Sequence, residues 1–253
     1  LLCVILCAHA VAKPQERPHR AVIGGMRTHC RSTLLLAAAN VQESAAPLRE
    51  SAQLFKACLI GDEDVNVAAF AAAARQFLAV LALFGAYTRV HVQAATQNLH
   101  IVEGFLQGLP KEASASARQF LEHDKSQGKH KSGGVLYKDS PAEGLLWLRR
   151  GISIWLATFE EHIALPRSLR EEAKSAYQRT VEPYNSWLMQ KAVGANFVLA
   201  PSWDWMIKQG KLASSEEQLL VDIKAWVAAV SPALQRLTVL HKSLDLEDIR
   251  KAS

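Results

Sequence analysis

The stretch VAAFAAAARQFLAVLALFG, residues 67–85, is apolar on nearly every side. A helix that offers no wholly polar face cannot lie on a surface. It must sit at the centre of a helical bundle or border a ligand cavity. Acidic GDEDVN before it supplies capping residues, and Gly85 closes it. That one segment makes a helical assembly the frame for the rest of the chain.

The remaining sequence agrees. Alanine and leucine are abundant, and strand-favouring runs are scarce. From Pro47 onward helical periodicity persists. PLRESAQLFKACL places Leu48, Leu54, Ala57 and Cys58 near one face. YTRVHV alternates like a strand, but the segment through Gly108 reads as helix overall. ASARQFLEHD is a short helix leading into the Gly/Lys-rich KSQGKHKSGG. A helix from Pro141 carries Leu145, Leu148, Ile152, Trp155 and Leu156 on a wide apolar stripe. A long helix then opens at Ser168 with a capping box to Glu171 and is kinked by Pro183. PSWDWMIKQGKL is a short helix or turn, and one or two helices close the chain around Pro232. The expected fold is all-α, with one domain over residues 46–250.

Residues 1–45 read as an extension without structure of its own. LLCVILCAHAVA resembles a secretory hydrophobic region, and MRTHCRSTLLLAAA is weakly transit-like. Cys3, Cys7, Cys30 and Cys58 form no disulfide framework, which suits a reducing compartment and a cytoplasmic setting.

A net charge of +5 fits an anionic surface, but no Lys/Arg block is dense enough for nucleic acid. The sequence has no phosphate-binding glycine loop, HExxH or Gly-x-Ser-x-Gly. His123, His130 and Asp124 read as a solvated loop, and Glu160, Glu161 and His162 as a solvent-facing helix end. The expectation is therefore a non-enzymatic protein without metal or cofactor.

Three stretches in order resemble the glycolipid transfer protein family: VNVAAFAAAARQFLAVLALFG, GLLWLRRGISIWL and AYQRTVEPYNSWLMQK. The resemblance implies a two-layer, all-α sandwich of about eight helices. It implies a sphingolipid whose two tails lie in an apolar tunnel between the layers, with the head group at the surface. It further implies a monomer that touches membranes peripherally and transiently.

The family's recognition residues fall unevenly on this chain. Its amide-binding Asp falls on Ala94, an Asn on Asn98 and a basic residue on Ile101. The sugar-stacking Trp falls on Trp147, the carbonyl-binding His on Asn185 beside Tyr184, and the membrane-facing Trp on Trp187. An asparagine still offers an NH₂ donor, so Asn98 and Asn185 form an expected neutral amide pair. Trp147 points to the sugar-binding branch; the phosphate-reading branch carries Arg there and one turn earlier, where this chain has Glu143. Trp187, Trp203 and Trp205, with Lys191, Lys208 and Lys211, form an expected docking patch. The rival readings are a degenerate lipid sensor and a helical partner-binding module.

Overall fold

A computed structural model of the chain describes residues 46–110, 114–209 and 212–251. The N-terminal extension and Lys211 lie outside the described residues. Among these residues there are nine α-helices and one two-stranded antiparallel turn, Leu59–Ile60 (β1) with Asp64–Val65 (β2). The helices are α1 (Pro47–Ala57), α2 (Val67–Ala82), α3 (Arg89–Leu106), α4 (Ala117–Ser126), α5 (Pro141–Ala164), α6 (Leu169–Thr180), α7 (Trp187–Asn196), α8 (Trp203–Lys208) and α9 (Glu216–Ser243).

The packing closes on itself. Helix α1 lies on α2, α2 on α3, α3 on α5, α5 on α9, and α9 back on α1, while α6 flanks α5. The result is the expected two-layer helical sandwich. Its helices start where side chains satisfy orphan amides: Asn66, Ser116, Ser140, Ser168, Ser202 and Ser215 each accept a backbone N–H from the first turn.

Helix α2 is central, as its all-round apolarity requires. Phe70, Ala73, Ala74 and Phe77 are fully buried. Around them the interlayer space is filled by the protein's own rings. Phe55, Phe77, Phe159 and Trp226 meet one another at centroid separations of 4.5 to 6.4 Å. The small alanines here allow close helix approach.

Several local expectations are corrected. On α1 the buried stripe is Leu48, Ser51, Ala52 and Phe55, while Leu54 points outward. The long helix from Ser168 ends at Thr180. Pro183 has no N–H to donate, and residues preceding a proline avoid helical geometry. The chain instead makes tight turns, Tyr184 N–H to Val181 O and Asn185 N–H to Glu182 O, before α7 begins. Pro232, by contrast, sits inside one unbroken α9.

His130 and Asp124 do not form a solvated loop. Asp124 is buried, its Oδ2 lies 3.0 Å from His130 Nε2, and it accepts the Ala142 amide at 2.9 Å. This anchors the start of α5. His162 is also buried, with Nδ1 3.0 Å from Glu172 Oε1.

Two other histidines are held neutral inside. Burial lowers the pKa of His91 to about 4, and burial with nearby Arg149 lowers that of His241 to about 4. The unfolded chain binds these protons near the ordinary value, so it gains protons that the folded chain refuses. Their contribution to stability is intact above about pH 6.5 and shrinks as pH falls towards 4, by on the order of 2–3 kcal/mol for each group. Urea unfolding should show this fall in the wild type, and a shallower one in His241→Gln.

Candidate functional site

Helices α3 and α5 cross antiparallel at two glycines. A Cβ on Gly144 would lie 3.1 Å from the Ile101 side chain and 3.2 Å from the Asn98 carbonyl, and one on Gly151 would lie 3.3 Å from His91. The two contacts are two turns apart on each helix. That register sets Ala94 and Ala95 opposite Trp147 and Leu148. Ala94 is exposed, while Asn98 and Trp147 are half-buried.

Beside Trp147 lies Arg150. Its guanidinium carbon sits 5.2 Å from the Trp147 ring centre and 3.7 Å from that of Tyr184. Planar guanidinium over aromatic faces is a stable arrangement. Arg150 is held by Glu247 Oε1 at 3.0 Å and by the Asp248 carbonyl at 2.6 Å. Arg149 pairs with both oxygens of Glu247, at 2.8 and 2.6 Å, and bonds Thr238. Burial alone would push the Glu247 carboxyl up, but the two arginines outweigh it and hold it below the usual range. Burial pulls Arg149 down, and Glu247 opposes that. The segment after α9 is therefore a strap that ties both arginines and offsets one of their two charges. It lies close on the loop before α5, where Gly134 leaves room for the Glu247 carbonyl; a Cβ there would sit 2.8 Å from that oxygen, and Gly134 also has φ +75°.

Asn185 is buried in extended backbone, and its Nδ2 donates to Tyr177 Oη at 2.9 Å. One of the two N–H donors of the Asn185 amide is thus engaged by Tyr177.

Beyond Asn185 the packing changes character. No residue of α7 is buried. Trp187 is 68% exposed, and Leu188, Met189, Val198, Leu199 and Trp205 are exposed with it. Lys191 Nζ stands 5.7 Å from the Trp187 ring centre. A cleft of about 630 Å³ separates α6 from α7, lined by Lys174, Tyr177, Gln190, Gly194 and Phe197 among others. Trp203 does not share the exposed face. Its Nε1 donates to buried Glu172 at 2.9 Å, and its ring lies 4.5 Å from that of His162. Lys208 pairs with Asp204.

With this geometry in hand, the profile described as glycolipid transfer protein (GLTP) matches residues 65–211. The chain belongs to the glycolipid transfer protein family. The ceramide-1-phosphate transfer protein of Rattus norvegicus is 24% identical over 203 residues, covering 76% of this chain and 92% of that protein. Human ceramide-1-phosphate transfer protein, solved in complex with 12:0 ceramide-1-phosphate, superposes with a TM-score of 0.71 at 18% identity, over 79% of this chain and 97% of that one. A structure described as showing how FAPP2 selects simple glycosphingolipids using the GLTP fold gives 0.67 at 17%, over 78% and 95%. The similarity spans proteins described with phosphorylated and with glycosylated sphingolipids, so it carries the fold and not the head group.

The residues that sequence reasoning missed are those of the strap. Glu247 and Asp248 stand about a hundred positions from Arg149 and Arg150, and nothing local signals their meeting. Replacing Glu247 with alanine strands Arg149 without a counter-charge and should cost about 3 kcal/mol in a denaturant melt. A change below about 0.5 kcal/mol would show the pair to be water-screened.

Proposed function

We propose that this domain is a non-enzymatic carrier that takes up one sphingolipid, with its head group at the Trp147–Arg150–Tyr184 cluster and its tails between the helix layers. The observation that carries the reading is α7: an apolar helix with no buried residue, bounded by tight turns, directly after the residues that touch that cluster. A solvent-exposed face of this kind marks an interaction surface. Indoles at Trp187 and Trp205 with Lys191 suit a bilayer interface, where each lysine adds up to about 1 kcal/mol on an anionic leaflet. Trp203 is tied inward and belongs to the scaffold.

Because the rings between the layers fill the space, tails enter only as the layers part. Swinging α7 aside breaks little more than the contact of Val193 with the core and the bond from Asn196 to the Tyr87 carbonyl, which makes it the natural gate. Moving hydrocarbon from a bilayer to an apolar interior is nearly isoenergetic, so head-group contacts decide selectivity. No bond is made or broken, no cofactor enters, and the domain works as a cytoplasmic monomer in transient membrane contact.

The strap favours an uncharged head. Glu247 already engages both arginines and offsets one of their two charges, and Glu143, whose carboxyl burial holds above its ordinary pKa, lies one turn before Trp147. A phosphate would have to displace Glu247, whereas a sugar can stack on the indole. A degenerate sensor is the alternative reading, favoured by Ala94, which supplies no acceptor facing Trp147.

Transfer of fluorescent glycosylceramide and ceramide-1-phosphate between vesicles tests this. Glycosylceramide should move faster, and Ala94→Asp should raise its rate. The double substitution Trp187→Ala with Trp205→Ala should lower the rate about tenfold or more without loss of helicity. Transfer of neither lipid would remove the carrier reading, and faster ceramide-1-phosphate would remove the neutral head group.

A further inference from the structure

His91 occupies a position that the reading above leaves unused. It lies on α3 two turns before Asn98 and so on nearly the same face. Its ring faces Gly151, where a Cβ would stand 3.3 Å from Cε1 and 3.7 Å from Nε2. Gly151 is one turn beyond Trp147 on α5 and directly follows Arg150, which puts His91 at the edge of the head-group cluster. The inner side is aromatic: the Trp155 ring meets the imidazole edge-on at 6.3 Å, and Tyr87 and Phe84 pack against Trp155.

In this apolar setting Nε2 of His91 is sealed from solvent and has no hydrogen-bond partner among the described residues. Burial keeps the ring neutral, with its pKa lowered to about 4. A neutral imidazole carries one donor and one acceptor nitrogen, and a buried polar atom without a partner is a standing penalty that structures rarely keep. A leucine at position 91 would fill the same space without that penalty.

Resting on the carrier reading, we propose that His91 is a specificity-determining residue, whose Nε2 takes a hydrogen bond with a hydroxyl on the ceramide portion of the ligand, just below the head group. The ligand class is then a sphingolipid hydroxylated beside its amide, on either the acyl chain or the long-chain base, in preference to the unhydroxylated lipid. Next to its head group a sphingolipid offers its amide and such hydroxyls before it becomes hydrocarbon. A plain chain would leave Nε2 unpaired against methylenes, and a hydroxylated one satisfies both groups.

Equilibrium binding measured by quenching of tryptophan fluorescence tests this. The probes are glycosylceramides of matched chain length: unhydroxylated, 2-hydroxyacyl, and with a 4-hydroxylated base. The wild type should bind at least one hydroxylated lipid about tenfold more tightly than the plain one, and the two hydroxylated probes show which chain carries the contact. His91→Leu should erase that preference while binding the plain lipid at least as tightly, and His91→Gln, which keeps a donor and an acceptor, should retain part of it. Equal binding of all three lipids by the wild type overturns the proposal, as does a preference that survives in His91→Leu. Should the leucine variant not fold, the wild-type comparison decides alone. Wild-type binding to none of the three would instead overturn the carrier reading, and this proposal with it.

Discussion

The close crossing of α3 on α5 is the constraint on which the rest of the molecule depends. Gly144 and Gly151 let two backbones approach where a Cβ would press tightly on Ile101, Asn98 or His91. Because the contacts recur every two turns, they fix rotation as well as distance. That fixed rotation puts Trp147 at the rim with Ala94 facing it, and Trp155 in the core. Loosening the crossing would uncouple the rim from the apolar interior, and the site joins those two environments.

Two kinds of holding then divide the molecule. The aromatic core is knit by ring contacts among Phe55, Phe77, Phe159 and Trp226 and resists local change. Helix α7 has a weaker hold, with Val193 packed against the core and Asn196 donating to the Tyr87 carbonyl. It is attached by tight turns and a few hydrogen bonds, such as Gln190 Nε2 to the Glu182 and Asn185 carbonyls. Opening at low cost is a property of segments with few buried apolar contacts. At the rim, the strap shapes the electrostatics: one carboxylate shared by two guanidiniums halves the charge of a basic motif.

Much of the fold was legible because helical periodicity and capping are local signals. The all-round apolarity of residues 67–85 placed α2 at the centre, and Ser168 with Glu171 opened α6 as read. The break at residues 181–186 was misread as a kink, because the choice between bending and ending a helix depends on what lies beyond Pro183. The buried roles of Asp124, His162 and Glu247 escaped for a related reason. A charged residue next to a loop looks solvated unless its partner is known, and these partners come from other elements. Glu172 did carry a signal: it shares the buried face of Leu169, Ala173 and Ala176 on α6, an odd place for a lone carboxylate. A void between layers is unfavourable by roughly 20–25 cal/mol per Å³, so the interlayer tunnel that the resemblance implies is expected to close in the empty protein.

The central claim is that these layers part to admit a single sphingolipid. Native mass spectrometry of the full chain, purified after exposure to mixed cellular membranes, addresses it most directly. The account predicts one added mass per chain, identified as a sphingolipid on fragmentation. A chain that stays lipid-free, or carries only glycerophospholipid, would contradict it.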